Sequence, residues 1–205
     1  YHFGAQGHNI VTIGGRNPYW EKSGERRSHL SACEFDNQRG GWWRIDLTEL
    51  HDGVQKVTRT TIHLLPGYVV VLDRVELQAE EEIKLRWHTV ERPDLSLDGS
   101  FIVTKEDVIL SARIVTGVGP EPRFSIGSHE YQAPLDRDRI GNPLPQRREP
   151  YLDSVVVAQD VSFLSLFAVE PESTRPTIWV GDIEGSEQRW IHEDGVHRIV
   201  VRLAD

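Results

Sequence analysis

Methionine is absent from these 205 residues, and cysteine occurs once, as Cys33. A lone thiol closes no internal disulfide, so the fold must be held by its core. A chain that starts at Tyr1 without any methionine is expected to be a fragment or a trimmed product, and its start shows no targeting signal. Positive charge is also short. Lys and Arg number 23 against 32 Asp and Glu, a net charge of −9. Nucleic-acid binding rests on phosphate neutralisation, so no nucleic-acid partner is expected. No apolar run approaches the ~18 residues of a membrane span. Glycine-rich phosphate cradles and the strand-turn-helix serine elbow are missing too, which removes nucleotide binding and one route to hydrolysis.

Helical periodicity longer than two turns is also lacking. A period of two runs almost throughout. Residues 67–77 are dense in β-branched side chains. In 81–90, Ile83, Leu85, Trp87 and Thr89 share one face, while Lys84, Arg86 and His88 share the other. Val108, Leu110, Ala112 and Ile114 align in 107–115, and 154–169 holds two apolar runs split by Gln159-Asp160. Asp52-Gly53, Pro66-Gly67, Asp98-Gly99, Glu184-Gly185 and Asp194-Gly195 punctuate these runs as turns, the last as the clearest hairpin. Six Trp, five Tyr and six Phe supply bulky core material and exclude disorder as the main state. About a dozen strands predict an all-β fold. It is an antiparallel β-sandwich of two layers, or stacked sandwiches, in a single domain over 1–205. Residues 116–153 carry six of the eleven prolines together with Arg137, Arg139, Arg147 and Arg148, and read as one long loop.

Three groups carry chemistry. His8 opens a strand directly after Gly7, where an imidazole can face a sheet-end cleft as a metal ligand or serve as a hydrogen-bonded strand-end residue. Asp73 shares a face with Val69, Val71, Val75 and Leu77, so it needs a partner such as Arg59 or Arg74. A structural ion pair and a catalytic carboxylate both fit that position. Trp42-Trp43 must point to opposite faces, one into a core and one outward, where a ring can stack on a sugar or cover a neighbouring domain. Tyr19-Trp20 offers the same choice. Glu80-Glu81-Glu82 reads as a solvated turn, and His51, His63, His88, His129, His192 and His197 are scattered without ligand spacing.

The stretch 7–15, Gly-His-Asn-Ile-Val-Thr-Ile-Gly-Gly, resembles the His-Asn-Thr strand of heparinase II/III-like polysaccharide lyases. Residues 59–75, with Arg59, Pro66-Gly67-Tyr68 and Asp73-Arg74-Val75, are similar to that family's following strand pair. Trp87-His88 and 163–171 agree in order and spacing. The resemblance implies the C-terminal β domain of such a lyase, with a helical toroid upstream that this chain does not include. It implies β-elimination at a 4-linked uronic acid by a Tyr and a His or Asn lying before residue 1, so no catalytic residue is assigned here. It implies that His8 is a zinc ligand in the intact protein, with two ligands from upstream strands, and that the site is incomplete in this chain. Ile10 stands where the family usually has Thr. An acidic polysaccharide as partner, and a periplasmic or extracellular location, follow from the resemblance alone. The competing readings are a non-catalytic glycan-binding or structural β module and, more remotely, a metal-dependent enzyme complete in itself.

Overall fold

The computed structural model describes residues 7–16, 18, 26–130, 137–144, 148–171, 179–184, 187–193 and 198–203. Thirteen strands and one short 3-10 turn at Thr48–Leu50 make up the described secondary structure. All pairings are antiparallel. The strands are β1 Val11–Ile13, β2 His29–Asp36, β3 Gly40–Asp46, β4 Val54–Leu64, β5 Tyr68–His88, β6 Asp94–Leu95, β7 Ser100–Lys105, β8 Val108–Val118, β9 Arg123–Glu130, β10 Arg148–Pro171, β11 Val180–Glu184, β12 Glu187–Glu193 and β13 Arg198–Leu203.

Two long strands organise everything else. β5 and β10 lie side by side, Tyr151 opposite His88 at one end and Ala168 opposite Tyr68 at the other. Their register breaks once: Ala158 pairs with Glu81 but Asp160 with Glu76, so residues 77–80 oppose the single Gln159. Extra residues on one strand bend and twist the ribbon. The two apolar runs around Gln159-Asp160 are therefore one strand bent at a bulge. Glu80–Glu82 is solvated as expected, but it lies within β5 rather than in a turn. The acidic run was a poor turn signal because the ladder, not the side chains, fixes the backbone there.

The bend folds the sheet over itself. On one side, 68–77 and 160–171 belong to the eight-strand path β2-β3-β4-β5-β10-β8-β7-β6. On the other, 81–88 and 148–158 pair with β1 and β9 and give a four-strand layer. Alternation sorts the side chains. Val71, Val75, Leu77, Phe163 and Phe167 of the large layer pack against Ile13, Ile83, Leu85, Leu152 and Val156 of the small one. Tyr68, Val70, Leu164, Leu166 and Ala168 point the other way, where Trp179, just before β11, and Trp190, Ile199 and Val201 of the β11-β12-β13 sheet cover them. Full burial of each large apolar side chain contributes about 1.5–3 kcal/mol, so both interfaces hold the fold. The stacked-sandwich expectation is met.

The expected loop 116–153 is interrupted. Arg123–Glu130 is a strand paired with Arg148–Val155, the first part of β10. Alternation there is weak, since only Phe124 and Ile126 point inward, and the prolines drew attention away from it. The strands flanking Asp194-Gly195 do pair, Glu193 opposite Arg198, although the dipeptide itself lies outside the described residues. The same holds for Tyr19-Trp20 and for Arg147.

Candidate functional site

Where β1 ends toward the N-terminus, the chain leaves the sheet at a defined point. Beyond Val11 the ladder adds one bond, from the Arg86 N–H to the Ile10 carbonyl at 3.0 Å. The antiparallel pattern would next bring the His88 N–H to the carbonyl of His8. Instead the His88 N–H donates to the side-chain Oδ1 of Asn9 at 2.7 Å. The His8 carbonyl accepts from the Ile10 N–H at 3.1 Å. The asparagine amide thus takes the place of a backbone acceptor, and His8 turns out to the surface, where it is exposed. At the far end of β1, Arg16 pairs with Glu81 at 2.7 Å, a bond that holds the Glu81 carboxyl below its usual range.

Beneath this corner sits an ion pair. Arg59 on β4 lies directly across from Asp73 on β5. Its Nε and Nη2 donate to the two carboxylate oxygens at 2.6 and 2.9 Å. The Asp73 side chain is only 2% exposed. The remaining Nη1 of Arg59 donates to the Asn9 carbonyl at 2.5 Å, and the guanidinium lies 5.4 Å from the ring centre of Trp87. Trp87 in turn donates from Nε1 to Ser165 Oγ at 3.1 Å and meets Phe167 edge-on. Both oxygens of this buried carboxylate are taken by one two-pronged guanidinium, the arrangement of an architectural ion pair. No proton acceptor for a reacting carbon is left over in it.

The outer face of the four-strand layer carries a second pair. Arg86 donates to both oxygens of Asp153 at 2.6 and 2.7 Å, and its guanidinium stacks 3.6 Å from the Tyr151 ring centre. The Tyr151 ring occupies the space that a side chain on Gly127 would need. Past this stack, a cleft of about 690 Å³ opens between Gly7, His88, Thr89, Lys105, Arg148 and Glu149. Arg148 is engaged with Glu130 at 2.8 Å. The cleft therefore offers mixed charge beside the His8 corner.

Asp73 lies where the sequence places it, on the inward face of β5, but His8 does not open the strand: β1 begins at Val11, and His8 sits in a bend before it because the Asn9 side chain takes the ladder bond. Asp73 takes Arg59 as partner and not Arg74, which alternation sends to the opposite, exposed face. Among the described residues no three His, Cys, Asp or Glu side chains group as a metal site. A single imidazole does not make a zinc site, so the described residues alone do not fit that ion. Trp42 and Trp43 do point to opposite faces, but both are only half-buried. Trp43 stacks on exposed Phe35 at 6.3 Å, because the β2-β3 hairpin extends past the layers that cover the sheet centre. Sequence reasoning saw Asn9 as part of a motif without its role, and missed the pairs Arg86–Asp153 and Glu170–His192. Of the two pairs, only Arg86–Asp153 left a signal, each member a charge inside an otherwise strand-like run.

No protein-family model and no curated protein sequence matches the chain. Solved structures do. Heparinase III superposes with a TM-score of 0.70 at 12% identity over 97% of this chain and 30% of that one. The heparan sulfate lyase HepC from Pedobacter heparinus gives 0.68 at 11% identity over 96% of this chain and 30% of its own. A heparinase III with methylated lysines gives 0.70 at 11% over 96% and 29%. The chain therefore spans about 30% of the length of those enzymes. At such identity the likeness is one of fold, and the fold of these 205 residues is that of the β domain of heparinase III.

Proposed function

We propose that this chain is the C-terminal β domain of a heparinase II/III-type polysaccharide lyase and is inactive alone. The observation that carries the reading is the superposition of nearly the whole chain on less than a third of two such enzymes. In the parent, a base removes the C5 proton of a 4-linked uronic acid and the glycosidic oxygen leaves. The β domain contributes a cleft wall and, through exposed His8, one ligand to a zinc whose other ligands lie upstream. The acidic polysaccharide, the upstream helical domain and a location outside the cytoplasm belong to this reading.

The test is direct. Residues 1–205 are incubated with heparan sulfate and other uronate polymers, and unsaturated-uronate absorbance is followed. No turnover is expected from the chain alone, and turnover is expected from a polypeptide that restores the upstream domain. Robust activity of the 205 residues would overturn the reading. A second reading, a glycan-binding β module, draws on the Phe35–Trp43 stack, with Phe35 68% exposed. Saturable glycan binding that is lost in Phe35→Ala, with no activity gained on restoring upstream sequence, would favour it.

A further inference from the structure

We infer that Arg59 and Asp73 are positioning residues for His8, acting through Asn9. The inference rests on the reading that His8 does work at the cleft edge, but its geometry is independent of any metal. Two strands, β4 and β5, converge on Asn9 and its neighbour Ile10. The Asn9 carbonyl accepts from Arg59 of β4, its side chain accepts from the His88 N–H of β5, and its neighbour Ile10 accepts from the Arg86 N–H. Both acceptors of one exposed residue are thereby fixed, and the bond that would have kept His8 in the ladder is diverted.

Arg59 has no freedom in this arrangement. Its Nε and Nη2 are bound to Asp73, its guanidinium lies over Trp87, and its side chain is 17% exposed. A planar, five-donor guanidinium can hold a carboxylate with two donors and still direct a third at a carbonyl; an ammonium cannot hold that geometry. Asp73 sets the fork, the fork sets Asn9, and Asn9 sets the direction in which His8 leaves the sheet. A core ion pair whose only task was packing would need no bond to an exposed turn. Replacing such a pair by apolar residues of similar volume is often neutral for stability. That offers a way to separate holding the fold from aiming His8.

The experiment compares the 205-residue chain with Arg59→Met/Asp73→Leu and, separately, with Asn9→Leu and Asn9→Asp. Melting temperature reports the fold. The backbone heteronuclear NOE at residues 8 and 9, and amide exchange at His88, report positioning. Asn9→Leu changes an exposed side chain, so it does not depend on refilling the core. The double variant is expected to melt within a few degrees of the parent while the NOE at His8 and Asn9 falls. Asn9→Leu is expected to speed His88 exchange about tenfold by removing its acceptor, and Asn9→Asp, which keeps an oxygen there, to restore slow exchange. Unchanged NOE values at residues 8 and 9 in the double variant, or slow His88 exchange in Asn9→Leu, would overturn the inference. If the double variant unfolds, Arg59→Lys decides: it keeps a positive charge beside Asp73 but cannot also direct a donor at the Asn9 carbonyl, so the NOE at residues 8 and 9 is expected to fall, and unchanged values would overturn the inference. None of these readouts involves turnover, so the inference fails or stands apart from the lyase reading.

Discussion

His192 Nε2 lies 3.1 Å from Glu170 Oε1 with both residues buried, the histidine fully so, where the β11-β12-β13 sheet docks on the large layer. Tyr68 and Trp179 pack their rings against the imidazole at 5.4 and 4.9 Å. The other ring nitrogen, Nδ1, has no hydrogen-bond partner among the described residues. A tautomer with its proton on Nε2 satisfies the one bond available and leaves Nδ1 a bare acceptor, which is less costly than an orphaned donor. Arg113 closes the same interface from β8, donating to the Trp179 carbonyl at 2.8 Å.

Removing one partner of this pair leaves the other polar group buried and opens a cavity. His192→Ala is expected to destabilise the chain by about 3 kcal/mol, measured by urea unfolding. The change should also appear in tryptophan fluorescence, because Trp179 touches the imidazole. A loss under about 0.5 kcal/mol would show that the pair does not hold the third sheet.

Asp73→Ala presents the same physics in the first core. It leaves Arg59 mostly buried and without its counter-charge. The expected loss is about 3–5 kcal/mol, seen as a lower urea midpoint with an unchanged slope. Arg74→Ala on the adjacent exposed position should change stability by less than about 0.5 kcal/mol.

These two predictions show what was legible in the sequence. Asp73 announced itself, because a carboxylate among Val69, Val71 and Val75 breaks an apolar face and demands a partner. Alternation then chose Arg59 over Arg74, once the pairing of β4 and β5 was known. Glu170 and His192 gave no such sign. They lie 22 residues apart on strands of different sheets, and only docking brings them together. The layers were likewise readable as strands, and Gln159-Asp160 as a break between apolar runs, but not as a bend in one sheet, since a bulge is a register shift that appears only in the pairing of two strands. Asn9 was visible as a motif without a reason. The reason is a missing ladder bond, which appears only when β1 is set beside β5.

Gly99 fixes the β6-β7 turn and can be tested at one position. Its φ is +80°, a region that favours glycine, and its N–H and carbonyl bond Ser96 and Ile114 at 3.2 and 3.0 Å. A side chain there would press on the Ile114 carbonyl and the Phe124 ring. Gly99→Ala is expected to cost about 2–4 kcal/mol, from backbone strain plus the clash. Thermal unfolding measures it. Gly53→Ala serves as the comparison, because Gly53 also has positive φ, +74°, but open space around it. Its expected cost is the strain alone, about 1 kcal/mol.

His51 makes stability pH-dependent in a defined window. Burial, with a smaller contribution from the Arg16 charge, pushes its pKa down to about 4 from an ordinary 6.5. The unfolded chain therefore binds more protons than the folded one between those values, and stability rises with pH across that interval. The contribution is complete above about pH 6.5, is lost as pH falls toward 4, and amounts to about 3 kcal/mol in full. The lowered carboxyls of Asp36, Asp46 and Glu49 act in the same direction, but only below their unfolded values of 3.8 to 4.5. The interval from pH 5 to 6.5 thus belongs to histidine. Urea unfolding of the chain and of His51→Phe at pH 5, 6 and 7 should show the variant losing less stability on acidification. Parallel pH profiles for the two proteins would mean that His51 titrates alike folded and unfolded, and the burial argument would fall.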